Sequence, residues 1–160
     1  MTTTASAPAV SIIDYTPAHA THFRSLNQAW IERYFEMEEL DHKSLGDPDG
    51  YIISKGGHIF MAEYNSEVVG TCALIKVNDI TFELAKMAVT DKVQGLKIGK
   101  RLGEAAIQKA KELGAETLFL VSNRRLETAL HLYHRLGFVE VPEDLQEYKR
   151  ADIKMEMFLK

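Results

Sequence analysis

The chain has 160 residues, 46% hydrophobic and 26% charged, which fits one globular domain with a real core. A net charge of −4 argues against a general nucleic-acid binder, which carries a basic balance, and leaves room for a local basic pocket. One cysteine excludes an internal disulfide, and no stretch approaches the ~18–20 apolar residues of a membrane span.

Residues 1–9 lack a basic segment followed by a long apolar run, so they read as a disordered lead-in rather than a signal peptide. Residues 10–15 (VSIIDY) form a strand candidate, and Thr16-Pro17 supplies a helix start with proline at the first helical position. Phe23, Leu26, Asn27, Trp30, Ile31 and Tyr34 then recur at helical spacing. An acidic, turn-rich stretch up to Gly57 predicts a second short helix and a loop. Residues 58–64 and 68–77 read as strands of a hairpin through Asn65-Ser66-Glu67, followed by a third strand at 82–89. Cys72 sits in the apolar run VVGTCALI, where a small buried residue is the expected role. A reducing, cytoplasmic setting is the compatible expectation.

From Ile98 to Leu113 an apolar stripe marks a helix closed by Gly114. Residues 117–121 (TLFLV) suit a strand buried on both faces, and Leu126, Ala129, Leu130, Tyr133 and Leu136 form a last helical stripe stopped by Gly137. Residues 138–141 and 153–159 close the chain as strands. The order β-α-α-β-β-β-α-β-α-β-β predicts an α/β fold: a mixed, mostly antiparallel twisted sheet flanked by helices, in a single domain from residue 10 to 160. A crossover of parallel strands is expected around the helix at 98–113.

The junction FELAKMAVTDKVQGLKIGKRL carries the chemistry. It runs from a strand through a glycine-punctuated loop into a helix, whose first N–H groups lack intrahelical partners and carry partial positive charge. That is a seat for phosphate, reinforced by Lys92, Lys97, Lys100 and Arg101. A nucleoside-triphosphate loop needs four residues between its glycine and Gly-Lys, then Ser or Thr. Here three separate Gly95 from Gly99-Lys100, and Arg101 follows. A dinucleotide fingerprint fails because Gly95, Gly99 and Gly103 are spaced four apart.

Gln94-Gly95-Leu96-Lys97-Ile98-Gly99 resembles the Gln/Arg-x-x-Gly-x-Gly/Ala signature of the GNAT N-acetyltransferase superfamily. Residues 118–123 (LFLVSN) resemble its next strand, and residues 129–138 (ALHLYHRLGF) its Ala-x-x-x-Tyr-x-x-x-Gly-Phe element. Lys97 stands where that signature has its first glycine. The resemblance implies the acyl-CoA N-acyltransferase architecture and transfer of acetyl from acetyl-CoA to a primary amine of a small molecule or peptide. It also implies that Met87, Ala88 and Val89 hold the acetyl and pantetheine portions. Backbone groups of Gln94, Gly95, Leu96, Lys97, Ile98, Gly99 and Lys100 would hold the pyrophosphate, and Asn123 would reach the thiol end. Arg124 and Arg125 are read equally as phosphate contacts or as solvated.

Amide formation needs an amine stripped of its proton and a leaving thiolate that is protonated or held. Glu83 is the candidate base, at the strand position where some members carry one. Strict alternation puts Glu83, Ala85 and Met87 on one face and Leu84, Lys86 and Ala88 on the other; a bulge, usual in the family here, would break it. Tyr133 is the candidate acid, since a phenol near pKa ~10 can donate to a thiolate near ~8.5 with little penalty. On the acceptor side Glu32, Glu36, Glu38, Glu39 and Asp41 lie near Trp30, Tyr34 and Phe35. As an acidic, aromatic wall they would suit a cationic amine. The six histidines show no metal-like spacing, and no metal, nucleic-acid or membrane partner is expected. The chain is read as a monomer or homodimer. A non-catalytic acyl-CoA-binding or sensing module is the alternative.

Overall fold

The computed structural model describes residues 9–93, 95–142 and 149–159. A seven-stranded sheet runs in the order β1-β2-β3-β4-β5-β7-β6. Its strands are β1 (Ser11–Asp14), β2 (His58–Tyr64), β3 (Glu67–Asn78), β4 (Thr81–Val89), β5 (Thr117–Ser122), β6 (Val139–Val141) and β7 (Ile153–Phe158). Four helices flank it: α1 (Ala20–Tyr34), α2 (Glu39–Gly46), α3 (Ile98–Glu112) and α4 (Glu127–Leu136). The element order and mixed sheet are those expected from the sequence. Pairing is antiparallel throughout except between β4 and β5, which flank α3 and run parallel.

Local chemistry explains the boundaries. The β2–β3 hairpin turns on Asn65 and Ser66 alone, both at positive φ (55° and 65°), the mirror-image turn whose twist matches paired strands. Gly137 ends α4 at φ 112°, a left-handed cap. Two short features escape the periodic pattern. The chain after Pro17 begins as a 3-10 turn (Pro17–His19), and the stretch read as a loop holds a π turn (Asp49–Ile53).

The sheet is covered on both faces. Leu74, Phe82, Leu84, Leu118 and Leu120 pack with Leu102, Ala106 and Ala110 of α3. On the other face Ile59, Met61 and Ala73 pack with Phe23 and Ile31 of α1 and Leu45 of α2. Central β3 is therefore buried from Val69 to Leu74, and Cys72 within it is fully buried. Burial pushes its thiol up to about 12, the inert small core residue expected.

Two irregularities interrupt the sheet at β4. First, β4 and β5 pair only over Thr81–Glu83 with Thr117–Phe119. Beyond Glu83 no strand covers that edge of β4 among the described residues, and the two strands part. Second, β4 carries a bulge. Ala85 opposes Ala73 and Ala88 opposes Thr71, so Lys86 and Met87 together face Cys72, with Lys86 at φ 55°. The bulge overrides simple alternation. Lys86 turns to the α1–α2 face and reaches Asp41, while Met87 packs with the α3 side.

Candidate active site

A cavity of about 360 Å³ opens where β4 and β5 part, on the side of α1 and α2. Glu83, Ala85, Lys86 and Met87 line it from β4, Val121, Ser122 and Asn123 from β5, and Tyr133 from α4. Asn27, Trp30 and Ile31 of α1, Phe35, Leu40 and Tyr51 enclose the rest. The two expected catalytic side chains thus meet in one cavity.

Glu83 is 6% exposed and sits between Ile75 of β3 and Phe119 of β5. It lies within electrostatic reach of the Lys86 ammonium. Tyr133 packs edge-on to Phe138, with ring centroids 6.2 Å apart. Burial, and secondarily the nearby Cys72 thiol, pushes its phenol up to about 12. It therefore stays a donor at physiological pH. Full transfer of its proton to a thiolate near ~8.5 is then uphill by about 5 kcal/mol. The little penalty expected from an unperturbed tyrosine does not apply to this raised phenol.

The loop expected to seat phosphate holds a left-handed turn at its lysine. Lys97 takes φ 55° and ψ 35° as the residue before α3, the left-handed conformation in which glycine is most at ease. Its side chain is exposed, as are Lys92 and Lys100. Gly95 is also left-handed at φ 73°, while Leu96 and Ile98 anchor the loop to the core. A side chain at Gly99 would press on Leu132 at 3.1 Å. Gln94 lies outside the described residues. Arg101 is turned away and donates to the carbonyl of Val10.

Other expected contacts are already committed. Asn123 donates from Nδ2 to the carbonyl of Arg150 (2.7 Å) and accepts at Oδ1 from the amide of Arg125 (2.8 Å). It shapes the cavity wall with both ends of its amide held by protein. Arg124 pairs with Glu140, and Arg125 donates to the carbonyl of Tyr34 (2.9 Å) with its guanidinium 4.9 Å from the Phe35 ring.

The residues of the expected acceptor wall are divided between two pockets. Trp30 and Phe35 line the cavity, whereas Glu36, Glu38 and Glu39 line an adjoining pocket with Tyr34 and Phe35, and Glu32 and Asp41 line neither. Asp41 is fully buried behind it, accepting from Arg150 at both oxygens (2.7 and 2.8 Å), from Lys86 Nζ (3.0 Å) and from the amide of Glu38 (2.9 Å). Glu38 also pairs with Arg150, at 3.3 Å. Burial alone would raise the Asp41 carboxyl; the Arg150 bonds and the Lys86 charge outweigh it and hold it at about 2. Lys86 in turn is pushed down by burial, against the pull of Asp41. Sequence reading missed this cluster. Its signal was a lysine inside the apolar run LAKMAV, which a buried strand tolerates only with a partner.

No helix among the described residues is long and apolar enough to cross a membrane. Among the same residues no group of three or more potential ligands could hold a metal ion.

Comparisons with known proteins agree with this fold. Residues 23–138 match the acetyltransferase (GNAT) family. An uncharacterized N-acetyltransferase of Bacillus subtilis, YvbK, is 33% identical over 104 residues, 63% of this chain and 67% of YvbK. A GNAT-family acetyltransferase structure from Staphylococcus aureus superposes with a TM-score of 0.85 at 23% identity, covering 95% of this chain and all of that one. YncA of Salmonella typhimurium, solved with acetyl-CoA, gives a TM-score of 0.76 at 16% identity, covering 95% of each chain.

Proposed function

The chain belongs to the acetyltransferase (GNAT) family, and on that premise we propose that it moves an acetyl group from acetyl-CoA to the primary amine of a small molecule or peptide by direct transfer. The observation that carries this reading is the shared cavity: Glu83 and Tyr133 both line the space where β4 and β5 part. In the reaction the amine nitrogen forms a bond to the thioester carbonyl carbon. The carbon–sulfur bond breaks with its electron pair going to sulfur, and one amine proton is released.

The residues divide this work. The carboxylate of Glu83 takes the amine proton. The uncovered backbone of Met87, Ala88 and Val89 offers hydrogen-bonding groups to the acetyl oxygen and the amide-rich arm behind it, as a missing strand would. The Tyr133 hydroxyl donates to the departing sulfur. Amides of the loop from Gln94 to Lys100, aided by the exposed Lys97 and Lys100, hold the pyrophosphate at the start of α3.

Incubation with acetyl-CoA and an amine panel, reading thiol release and product mass, tests the reaction. Turnover is expected for at least one amine; binding of coenzyme A without turnover across the panel would favour a sensing module. Glu83→Gln is expected to lower kcat/KM by about 100-fold and to flatten its rise with pH. Tyr133→Phe should reduce kcat about tenfold or more, with acetyl-CoA affinity within about twofold of the parent. An unchanged rate in either variant removes that residue from its role.

A further inference from the structure

The charges around the cavity are arranged unevenly. Sheet order puts β3 on one side of β4 and the gap to β5 on the other, so Lys76 and Ser122 flank Glu83 from opposite sides. Toward the gap the two cations are answered by carboxylates: Lys86 by the buried Asp41, and Arg150 by Asp41 and the partly buried Glu38. Toward β3 they are not. Lys76 pairs at 3.2 Å with Asp79, whose side chain is 95% exposed. An exposed pair of this kind contributes at most about 1 kcal/mol and yields readily to an incoming anion. Lys55 places its ammonium 4.9 Å from the Tyr51 ring and pairs with no carboxylate among the described residues. Glu83 is the one carboxylate among the described residues of the lining.

Apolar and aromatic side chains, among them Trp30, Phe35, Ile52 and Ile75, share the lining with Glu83 and these lysines. The volume, about 360 Å³, must take both the acetyl end of the donor and the acceptor. A folded protein surface does not fit there; a small molecule does.

We infer that the acceptor is a small amine that also carries a carboxylate, with an apolar side group. The amine lies at Glu83, the carboxylate at Lys55 and Lys76, and the side group against Trp30 and Phe35. This rests on the acetyltransferase reading and names its substrate class. It differs from the cationic acceptor that an acidic wall would favour. A diamine would bring its second ammonium to Lys55 and Lys76, where like charges repel.

Matched probes test it: L-phenylalanine against phenethylamine, L-leucine against isoamylamine, and the diamine putrescine. With acetyl-CoA saturating, kcat/KM is expected to favour each carboxylated member by about tenfold or more, with putrescine poorest. Lys55→Gln and Lys76→Gln should each move that ratio toward one, as should about 0.5 M salt. Preference for putrescine or for the decarboxylated members, or a ratio unmoved in both variants, overturns the inference. Calorimetric titration of the same probes into the coenzyme A complex gives a readout independent of turnover. The carboxylated members should bind tighter there; equal or reversed affinities overturn the inference. Absence of turnover with every amine, alongside the expected binding order, counts against the acetyltransferase reading alone.

Discussion

Asp41 shows how one side chain joins parts of the molecule that are far apart in sequence. Its carboxylate binds Lys86 of the β4 bulge and Arg150 beside β7, while its own helix α2 covers the cavity. Because its folded pKa, about 2, lies below the ~3.9 of an unfolded aspartate, it contributes stability that is present above pH ~4. That contribution, of order 2 kcal/mol, is lost as pH falls from about 4 toward 2. The desolvation cost of Lys86 offsets part of it. Asp41→Asn should therefore lower the urea midpoint at pH 7 by the equivalent of about 3–5 kcal/mol, since it leaves two cations without their buried partner. Its midpoint should also change less than the parent's between pH 4 and 2. A parallel pH dependence in both proteins would show that Asp41 does not carry the acid sensitivity. Glu83 and Tyr133 were legible in the sequence because their motifs are local. The Asp41 cluster was not, because its members are brought together only by the sheet and by a bulge that reverses the side Lys86 faces.

Among the elements, α3 and α4 show the same backbone problem solved in two ways. Lys97 enters α3 in the left-handed region at φ 55°, and Gly137 leaves α4 there at φ 112°. A side chain in that region costs about 1–2 kcal/mol, and glycine's extra freedom in the unfolded chain costs about 0.5–1 in return. Lys97→Gly is thus expected to leave stability unchanged or raise it by up to about 1 kcal/mol. Gly137→Ala should lower it by about 1–2 kcal/mol, since its Cβ would also meet Met157 at 3.1 Å. Chemical denaturation of both variants checks the pair; a clear loss in Lys97→Gly would contradict the account. Strands and helices were read closely from periodicity and glycine stops, because those signals live within a few residues. The π turn after α2 escaped because Asp47, Pro48 and Gly50 carry the marks of an ordinary loop. The split of the acidic wall between two pockets was not legible for another reason: composition places carboxylates near a cavity without saying which way they face.

For the whole molecule, ligand binding and folding are linked. Coenzyme A at about 100 times its dissociation constant should stabilise the native state by about 2.7 kcal/mol. For a chain of this size that is a rise in Tm of roughly 5–10 °C, readable by differential scanning calorimetry. No shift at millimolar coenzyme A would remove the cofactor from the proposal. The effect should weaken with salt, because Lys92, Lys97 and Lys100 are exposed and would attract the proposed pyrophosphate through solvent.

The three-residue ladder between β4 and β5 has a mechanical consequence. Seven strands lie in one row, yet the row is stitched at this seam over a fraction of its height. The two halves, β1–β4 and β5–β7, are otherwise coupled through the helices and loops that bridge them. A seam so lightly fastened concentrates compliance in the very place where the chemistry is proposed to occur. A donor lying along the open edge would act as thread as well as reagent, so the protein should be stiffest while loaded and slackest after the product leaves.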